Sequence, residues 1–189
     1  MNNPQFNEKD ALAVIQQMVT ASRYNIKQDA VHLLIWGWLI LSACIIHYAA
    51  ILSQFPQGVY VWPVVIVIGL ISSMVVGYRQ GQRSEADSYI DRINRYLWLG
   101  SLAPFAITLG VGIVYDWIYA YPLLAAIFGW GNFISGGLLK YRPLIWGAVG
   151  AWIIAGAMLF VTGAEILLLM AAAILISYLI PGHMMMAQK

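Results

Sequence analysis

Long uncharged runs dominate the pattern of hydrophobic and polar positions. The first, VHLLIWGWLILSACIIHYAAILS at residues 31–53, contains no Asp, Glu, Lys or Arg. At a rise of about 1.5 Å per residue, a helix of this length crosses the roughly 30 Å hydrocarbon layer of a bilayer. The run therefore predicts a membrane span, and lipid becomes the solvent against which the rest of the chain is interpreted.

Five more apolar runs follow, separated by short polar or turn-forming segments. Together they predict an all-α polytopic membrane protein whose six-helix transmembrane domain occupies residues 31–189. We expect Pro104 to bend span three, the glycines of GWGNFISGG to pack span four closely or break it, and Pro181 to loosen the end of span six. The six predicted spans cover residues 31–53, 59–78, 97–115, 119–139, 144–162 and 166–186.

Two polar segments are predicted to form helices outside the spans. Residues 1–30 contain an amphipathic helix over 8–29, with Asn7 as its N-cap and apolar side chains recurring at helical spacing. This helix lies in the cytoplasmic interface, docks a partner, or packs on its own bundle. Residues 79–96 predict a short surface helix that runs into span three.

Composition leaves no room for a separate soluble domain. Of the 189 residues, 61% are hydrophobic and 10% are charged, and the formal charge of +2 is too small to suggest a nucleic-acid partner. The single cysteine, Cys44, excludes an intrachain disulfide. The first residues lack the basic and apolar regions of a signal peptide, so we expect span one to be retained as an uncleaved anchor.

The positions of the ten cations predict the orientation. All ten lie in the N-terminal segment, the loops between spans two and three and between spans four and five, and the C-terminal end. The three turns on the other side carry only Asp116 and Glu165. The positive-inside rule therefore places both termini in the cytoplasm, and we expect a multi-pass protein of the bacterial cytoplasmic membrane.

The sequence contains no motif of a hydrolase, nucleotide-binding enzyme or zinc enzyme, so we expect it not to be an enzyme. Polar groups at membrane depth are the remaining candidates. His47 and Asn132 either line a polar path or form hydrogen bonds between helices. Asp116 and Glu165, at the outer ends of spans three and six, either form an acidic mouth for cations or are simply solvated.

Small residues at every fourth position predict faces on which helices approach closely. We expect them to serve the bundle or a homo-oligomer. They are Gly69, Ser73 and Gly77 in span two, and Gly147, Ala151 and Ala155 in span five.

The tryptophan, histidine and methionine positions predict membrane anchoring and do not predict a metal or haem site. Tryptophans near the predicted span ends, at positions 36, 62, 98, 117 and 146, are typical of an interfacial belt. His183 precedes three methionines and shares a side with His32, but three histidines are too few for a ladder of two haems. We expect no metal and no cofactor.

The segments ALAVIQQMV, HLLIWGWLILSACIIHY, SYIDRINRYLWL and NFISGGLLKYRPLIWG resemble a group of small uncharacterised six-span membrane proteins of Bacteroidota-type bacteria. The resemblance covers most of the chain. It implies the same topology and no assigned activity.

Two classes of function are consistent with these features. In the first, the chain is an accessory, sensory or regulatory membrane subunit that acts through helix contacts and through residues 8–29 and 79–96. In the second, it is a small-solute transporter or channel whose path is lined by His47, Asn132 and the glycine-rich span four. None of its eight acids lies near the predicted midplane of a span, which argues against an ion-coupled carrier and leaves a passive route for a neutral solute. Expected partners are the lipid bilayer, and a second copy or another membrane protein.

Overall fold

The structure, a computed structural model, is a series of helices throughout the part of the chain that it describes. That part is residues 8–81 and 89–187, with side chains at 29–79, 93 and 95–187. Every regular element in these ranges is helical. The helices are α1 (Glu8–Leu52), α2 (Val61–Gly81), α3 (Tyr89–Val114), α4 (Trp117–Leu138), α5 (Arg142–Met158), α6 (Ile166–Ile174) and α7 (Ile180–Met186), with a 3₁₀ turn at Pro56–Tyr60 and a π-helical turn at Leu175–Leu179.

Five segments are long and apolar enough to cross a membrane, which makes this a multi-pass architecture by length and composition. The predicted span 144–162 corresponds to α5, which has 17 residues and ends at Met158. At about 26 Å it is at the short limit for a crossing. The five longer segments are Asp29–Leu52, Pro56–Arg79, Arg95–Val114, Trp117–Leu138 and Ile166–Met186.

Helix α1 differs from the sequence prediction at residue 30, where we expected one segment to end and the next to begin. It continues unbroken for 45 residues. Neither glycine nor proline occurs between Glu8 and Trp36, so nothing in the backbone chemistry ends the helix there. The predicted N-cap, Asn7, and residues 82–88 of the predicted surface helix lie outside the described residues.

Two helix ends are closed by the same hydrogen-bonding pattern. After α1, the Phe55 N–H donates to the Ala50 carbonyl and the Gln54 N–H to that of Ile51, at 2.8 and 3.1 Å. Gln54 has φ 54°, the left-handed conformation of a Schellman cap. Lys140 repeats the arrangement after α4 with φ 52°. Both are positions that glycine would occupy with less strain.

The centre of the bundle is the interrupted helix formed by α6, the π-helical turn and α7. It contacts α1, α4 and α5, and 61% of its apolar 18-residue stretch is buried. The outer helices are different: among the described residues, the backbone of α2 approaches only α1 and the preceding turn, and that of α3 approaches only α4. Most of the apolar side chains that the structure describes on α2 and α3 are therefore exposed.

Prolines and glycines leave the longer helices intact. Helix α3 passes through Pro104 without interruption, and α4 is continuous through its glycine-rich segment. Three of these glycines are contact points: an added Cβ would lie 2.7 Å from Trp152 at Gly129, 2.9 Å from Trp98 at Gly131 and 2.9 Å from Ile145 at Gly136. These three glycines therefore allow close packing against α4 and do not break the helix. Gly137 is open, with no such contact within 4 Å.

Candidate functional site

Three turns of the chain meet around His47. A cavity of about 240 Å³ is lined by residues from α1, from the N-cap and first turns of α4, and from the segment between α5 and α6 together with the start of α6. His47 also lines a second cavity, of about 330 Å³, beside the α1–α2 turn. We call the first cavity the His47 cleft. Its lining consists of His47, Ile51, Asp116, Trp117, Ile118, Tyr121, Thr162, Gly163, Ala164, Ile166 and Leu167.

Hydrogen bonding defines the protonation state of His47. The indole Nε1–H of Trp62 donates to His47 Nδ1 at 3.0 Å. Because an indole nitrogen can only donate, Nδ1 must carry a lone pair, and the proton of the neutral ring is therefore on Nε2. The Tyr121 hydroxyl lies 3.5 Å from the same Nδ1, at the limit of hydrogen bonding. His47 thus has one N–H, on Nε2, to offer to another acceptor.

Aromatic rings form one wall of the cleft region. The Trp62 and Trp117 ring centroids lie 6.0 and 6.4 Å from that of Tyr121, and the His47 ring lies 6.3 Å from Trp62 in an edge-on arrangement. Trp117 is seated on Gly112, where an added Cβ would lie 2.7 Å from the indole. The tryptophans predicted to form an interfacial belt at 62 and 117 therefore also make contacts inside the bundle.

Asp116 and Glu165, predicted as an acidic mouth, have different positions. Asp116 is the N-cap of α4, with Oδ1 accepting the Ile118 N–H at 2.9 Å, and it lines the His47 cleft. Glu165 lines neither cavity. Its carboxylate instead folds back over Gly163, where an added Cβ would overlap it. Of the two acids, only Asp116 lines the His47 cleft.

Asn132 lies away from both cavities. Its side chain is completely buried, and Nδ2 donates to the Ser177 carbonyl at 2.9 Å. In an α-helix that carbonyl would accept the N–H of the residue four positions later, which here is Pro181 and has none. Asn132 therefore bonds a carbonyl at the interruption of the central helix. Asn132 Oδ1 is buried and has no hydrogen-bond partner.

The π-helical turn explains how the central helix accommodates Pro181. The Ile180 N–H donates to the Leu175 carbonyl, five residues back. This wider turn lets the chain pass the proline ring and continue as α7. The Ser177 hydroxyl also donates within the helix, to the Ala173 carbonyl at 2.6 Å. Where the sequence predicted a loosened last turn, the structure has a defined bulge, followed by a buried proline.

The small-residue faces occupy two different interfaces. On α2, the Trp36 ring lies 2.7 Å from a Cβ added at Gly69, and its Nε1–H donates to Ser73 Oγ at 3.0 Å. Gly77 has no such contact within 4 Å. On α5, a Cβ added at Gly147 would lie 2.6 Å from the Ile176 carbonyl oxygen. Ala151 and Ala155 are also buried in the core.

His183 contacts its own helix and Trp38 of α1. Its Nδ1 is 2.8 Å from the Leu179 carbonyl oxygen, which can only accept, and its ring packs edge-on against Trp38 with centroids 6.1 Å apart. Within the part of the chain that the structure describes, no group of three or more His, Cys, Asp or Glu side chains is placed to hold a metal ion.

Sequence reasoning did not predict the hydrogen-bond partners of the His47 and Asn132 side chains. His47 lies six residues before the turn SQFPQG and Trp62 four residues after it, so a tight hairpin brings them to a similar depth, and that spacing was a usable signal. No comparable signal linked Tyr121 to His47, or Ser177 to Asn132. Those contacts depend on how helices distant in sequence pack together.

Comparisons of this chain with protein-family models, with curated proteins and with solved structures find no match. The resemblance to a group of bacterial membrane proteins therefore stays a prediction.

Proposed function

We propose that the chain is a six-span protein of a bacterial cytoplasmic membrane, with both ends in the cytoplasm. The arrangement of turns supports this topology. The three turns that carry no cation meet at the end of the bundle where His47 lies, and Lys140 and Arg142 stand at the other end of α5. Since Thr162 and Trp117 line the same cleft, α5 runs back along α4 to that end, as a short sixth span would.

We further propose that it is not an enzyme and acts through contacts, as an accessory, sensory or regulatory membrane subunit. The observation that carries this proposal is the isolation of α2. Among the described residues, its backbone approaches only α1 and the 3₁₀ turn that precedes it, and 11% of its apolar 18-residue stretch is buried. Outward-facing side chains run along its length, among them Val64, Val67, Ile71, Met74 and Tyr78. A helix held by one neighbour offers most of its surface to lipid or to a partner span.

Continuity of α1 adds a second contact surface. Its 45 residues make a helix of about 68 Å, more than twice the thickness of the hydrocarbon layer. A straight helix that crosses the bilayer over residues 29–52 extends its N-terminal half away from the membrane. That half is then available to a cytoplasmic partner, which favours the docking interpretation of residues 8–29 over a helix lying in the interface.

The transport alternative requires a polar path past Asn132. That side chain has no exposed surface, its amide N–H₂ is bonded to Ser177, and neither cavity includes it. A carrier could open such a path only by breaking this bond and moving the central helix. The contact-mediated function needs no such rearrangement, so we favour it.

Photo-cross-linking on α2 tests the proposal. A benzophenone amino acid replaces Met74, which is 73% exposed, in the full chain expressed in its native host. We expect a cross-link to another membrane protein or to a second copy, in a defined band. The matched control is the same residue at Ile153 of α5, which is 70% exposed.

Cross-links to lipid alone from both positions would refute a contact function for α2. A second test concerns transport: if proteoliposomes show a flux of a neutral solute that Asn132→Ala changes severalfold, the transport alternative replaces the proposal. Deletion of residues 1–29 should remove a cytoplasmic partner while leaving the α2 cross-link in place.

A further inference from the structure

The His47 cleft has a composition that the proposed contact function does not require. It places a carboxylate, a histidine N–H donor and two aromatic rings around one small cavity. None of its lining residues, all of which the structure describes, is Lys or Arg. The carboxylate of Asp116 therefore has no cationic side chain beside it in the cleft.

We infer that the His47 cleft binds an organic ammonium group, either free or as the headgroup of a lipid. Aromatic rings attract such cations through their π electrons, and a nearby carboxylate adds direct charge attraction. Trp117 and Tyr121 supply the rings and Asp116 the charge. One Asp116 oxygen accepts the Ile118 N–H, and a carboxylate has lone pairs left for a second donor.

His47 adds a requirement on the ligand. Because Trp62 bonds Nδ1, the ring presents Nε2–H as a donor, and His47 lines the same cavity as Asp116. A ligand that carries both an ammonium group and an oxygen acceptor, such as a hydroxyl or a phosphate ester, matches both groups. Choline, ethanolamine and their phosphoesters have this chemistry.

Cavity size and position limit the ligand further. A volume of about 240 Å³ is below the roughly 300–1,000 Å³ of pockets that enclose drug-sized ligands. Only a small headgroup fits inside. Ile51, which is 44% exposed, also lines the cleft, so the cavity borders the apolar outer surface of the bundle. A lipid can therefore insert its headgroup while its chains remain outside.

Choline binding by the purified full chain tests the inference. The protein is held in uncharged maltoside micelles, and choline chloride is titrated against sodium chloride of equal ionic strength. Saturation-transfer NMR on the choline methyl protons and calorimetry measure binding. We expect saturable binding that weakens about tenfold or more in Asp116→Asn, because the charge attraction between the carboxylate and the quaternary ammonium group is lost. Asparagine is an equally good N-cap, so the variant should keep the fold.

Glu165→Gln is the matched control, because it removes an acid near the same end that does not line the cleft. Its affinity should equal that of the unaltered chain. Tyr121→Phe keeps the ring and should also bind. Equal affinity of Asp116→Asn and the unaltered chain, or an equal loss in Glu165→Gln, would overturn the inference. A circular dichroism melt of each variant shows whether it is folded.

Native mass spectrometry distinguishes the two sources of the ammonium group. Delipidated protein is incubated with equal amounts of phosphatidylethanolamine and phosphatidylglycerol. Preferential retention of phosphatidylethanolamine, lost in Asp116→Asn, identifies a lipid headgroup. Choline binding without lipid preference identifies a free amine. If the unaltered chain shows neither choline saturation nor lipid preference, the inference is wrong. None of these outcomes depends on whether α2 docks a partner.

Discussion

Gly147→Ala should destabilise the bundle although it adds only one methyl group. The new Cβ would lie 2.6 Å from the Ile176 carbonyl oxygen and 3.1 Å from Ser177 Cα. Both are backbone atoms of the π-helical turn, so no side chain can rotate away. Ordinary contact needs roughly 3.5–4.0 Å, so α5 and the central helix must separate by about 1 Å.

Overpacking of this kind costs about 1–3 kcal/mol, and the better helix propensity of alanine returns up to about 1 kcal/mol. We therefore expect the free energy of unfolding to fall by about 1–2 kcal/mol. Equilibrium unfolding by SDS in mixed micelles, followed by tryptophan fluorescence, measures it.

Gly156→Ala is the control in the same helix. An added Cβ at Gly156 meets nothing within 4 Å, so this variant should be as stable as the unaltered chain or slightly more stable. If Gly147→Ala proves as stable as Gly156→Ala, α5 does not contact the central helix as described. The described contact between Gly147 and the backbone of the π-helical turn would then be wrong.

Three further substitutions test other contacts in the same unfolding assay. Asn132→Ala removes the bond to the Ser177 carbonyl and should cost about 1–2 kcal/mol; unchanged stability would mean that the bond contributes nothing. Trp36→Phe loses the bond to Ser73 and part of the ring that covers α2, and should cost about 1–2 kcal/mol. Gln54→Gly relieves a left-handed residue and should add up to about 1 kcal/mol, whereas a loss would show that the Gln54 side chain has a role of its own.

Helix positions follow well from the sequence because hydrocarbon demands long apolar runs. Five of the six predicted spans have helices long enough to cross a membrane. The α5 end at Met158 was not predictable, since the residues that follow are as apolar as the helix itself. Apolarity alone does not show where a helix ends when turn and helix residues are similar.

The interior of the bundle follows less well. Asn132 was recognised as a candidate for helix-to-helix bonding, but its partner is a backbone carbonyl, and every residue has one. Only the missing N–H of Pro181 makes the Ser177 carbonyl different from others. The His47 cleft was not predictable either. His47 and Asp116 are 69 positions apart, and their proximity depends on the packing of α1, α4 and α6.

The order of synthesis matters because the buried core helix comes after the helices α1, α4 and α5 that it contacts. If α1, α4 and α5 cross the bilayer as proposed, they do so before the ribosome has made residues 166–186, which contact all three. Until then, Gly147 and Asn132 face lipid or each other's helices, and a polar amide is left in hydrocarbon. Insertion of residues 166–186 therefore supplies the partners of Gly147 and Asn132, and a nascent chain stopped before them should be a preferred substrate for membrane proteases.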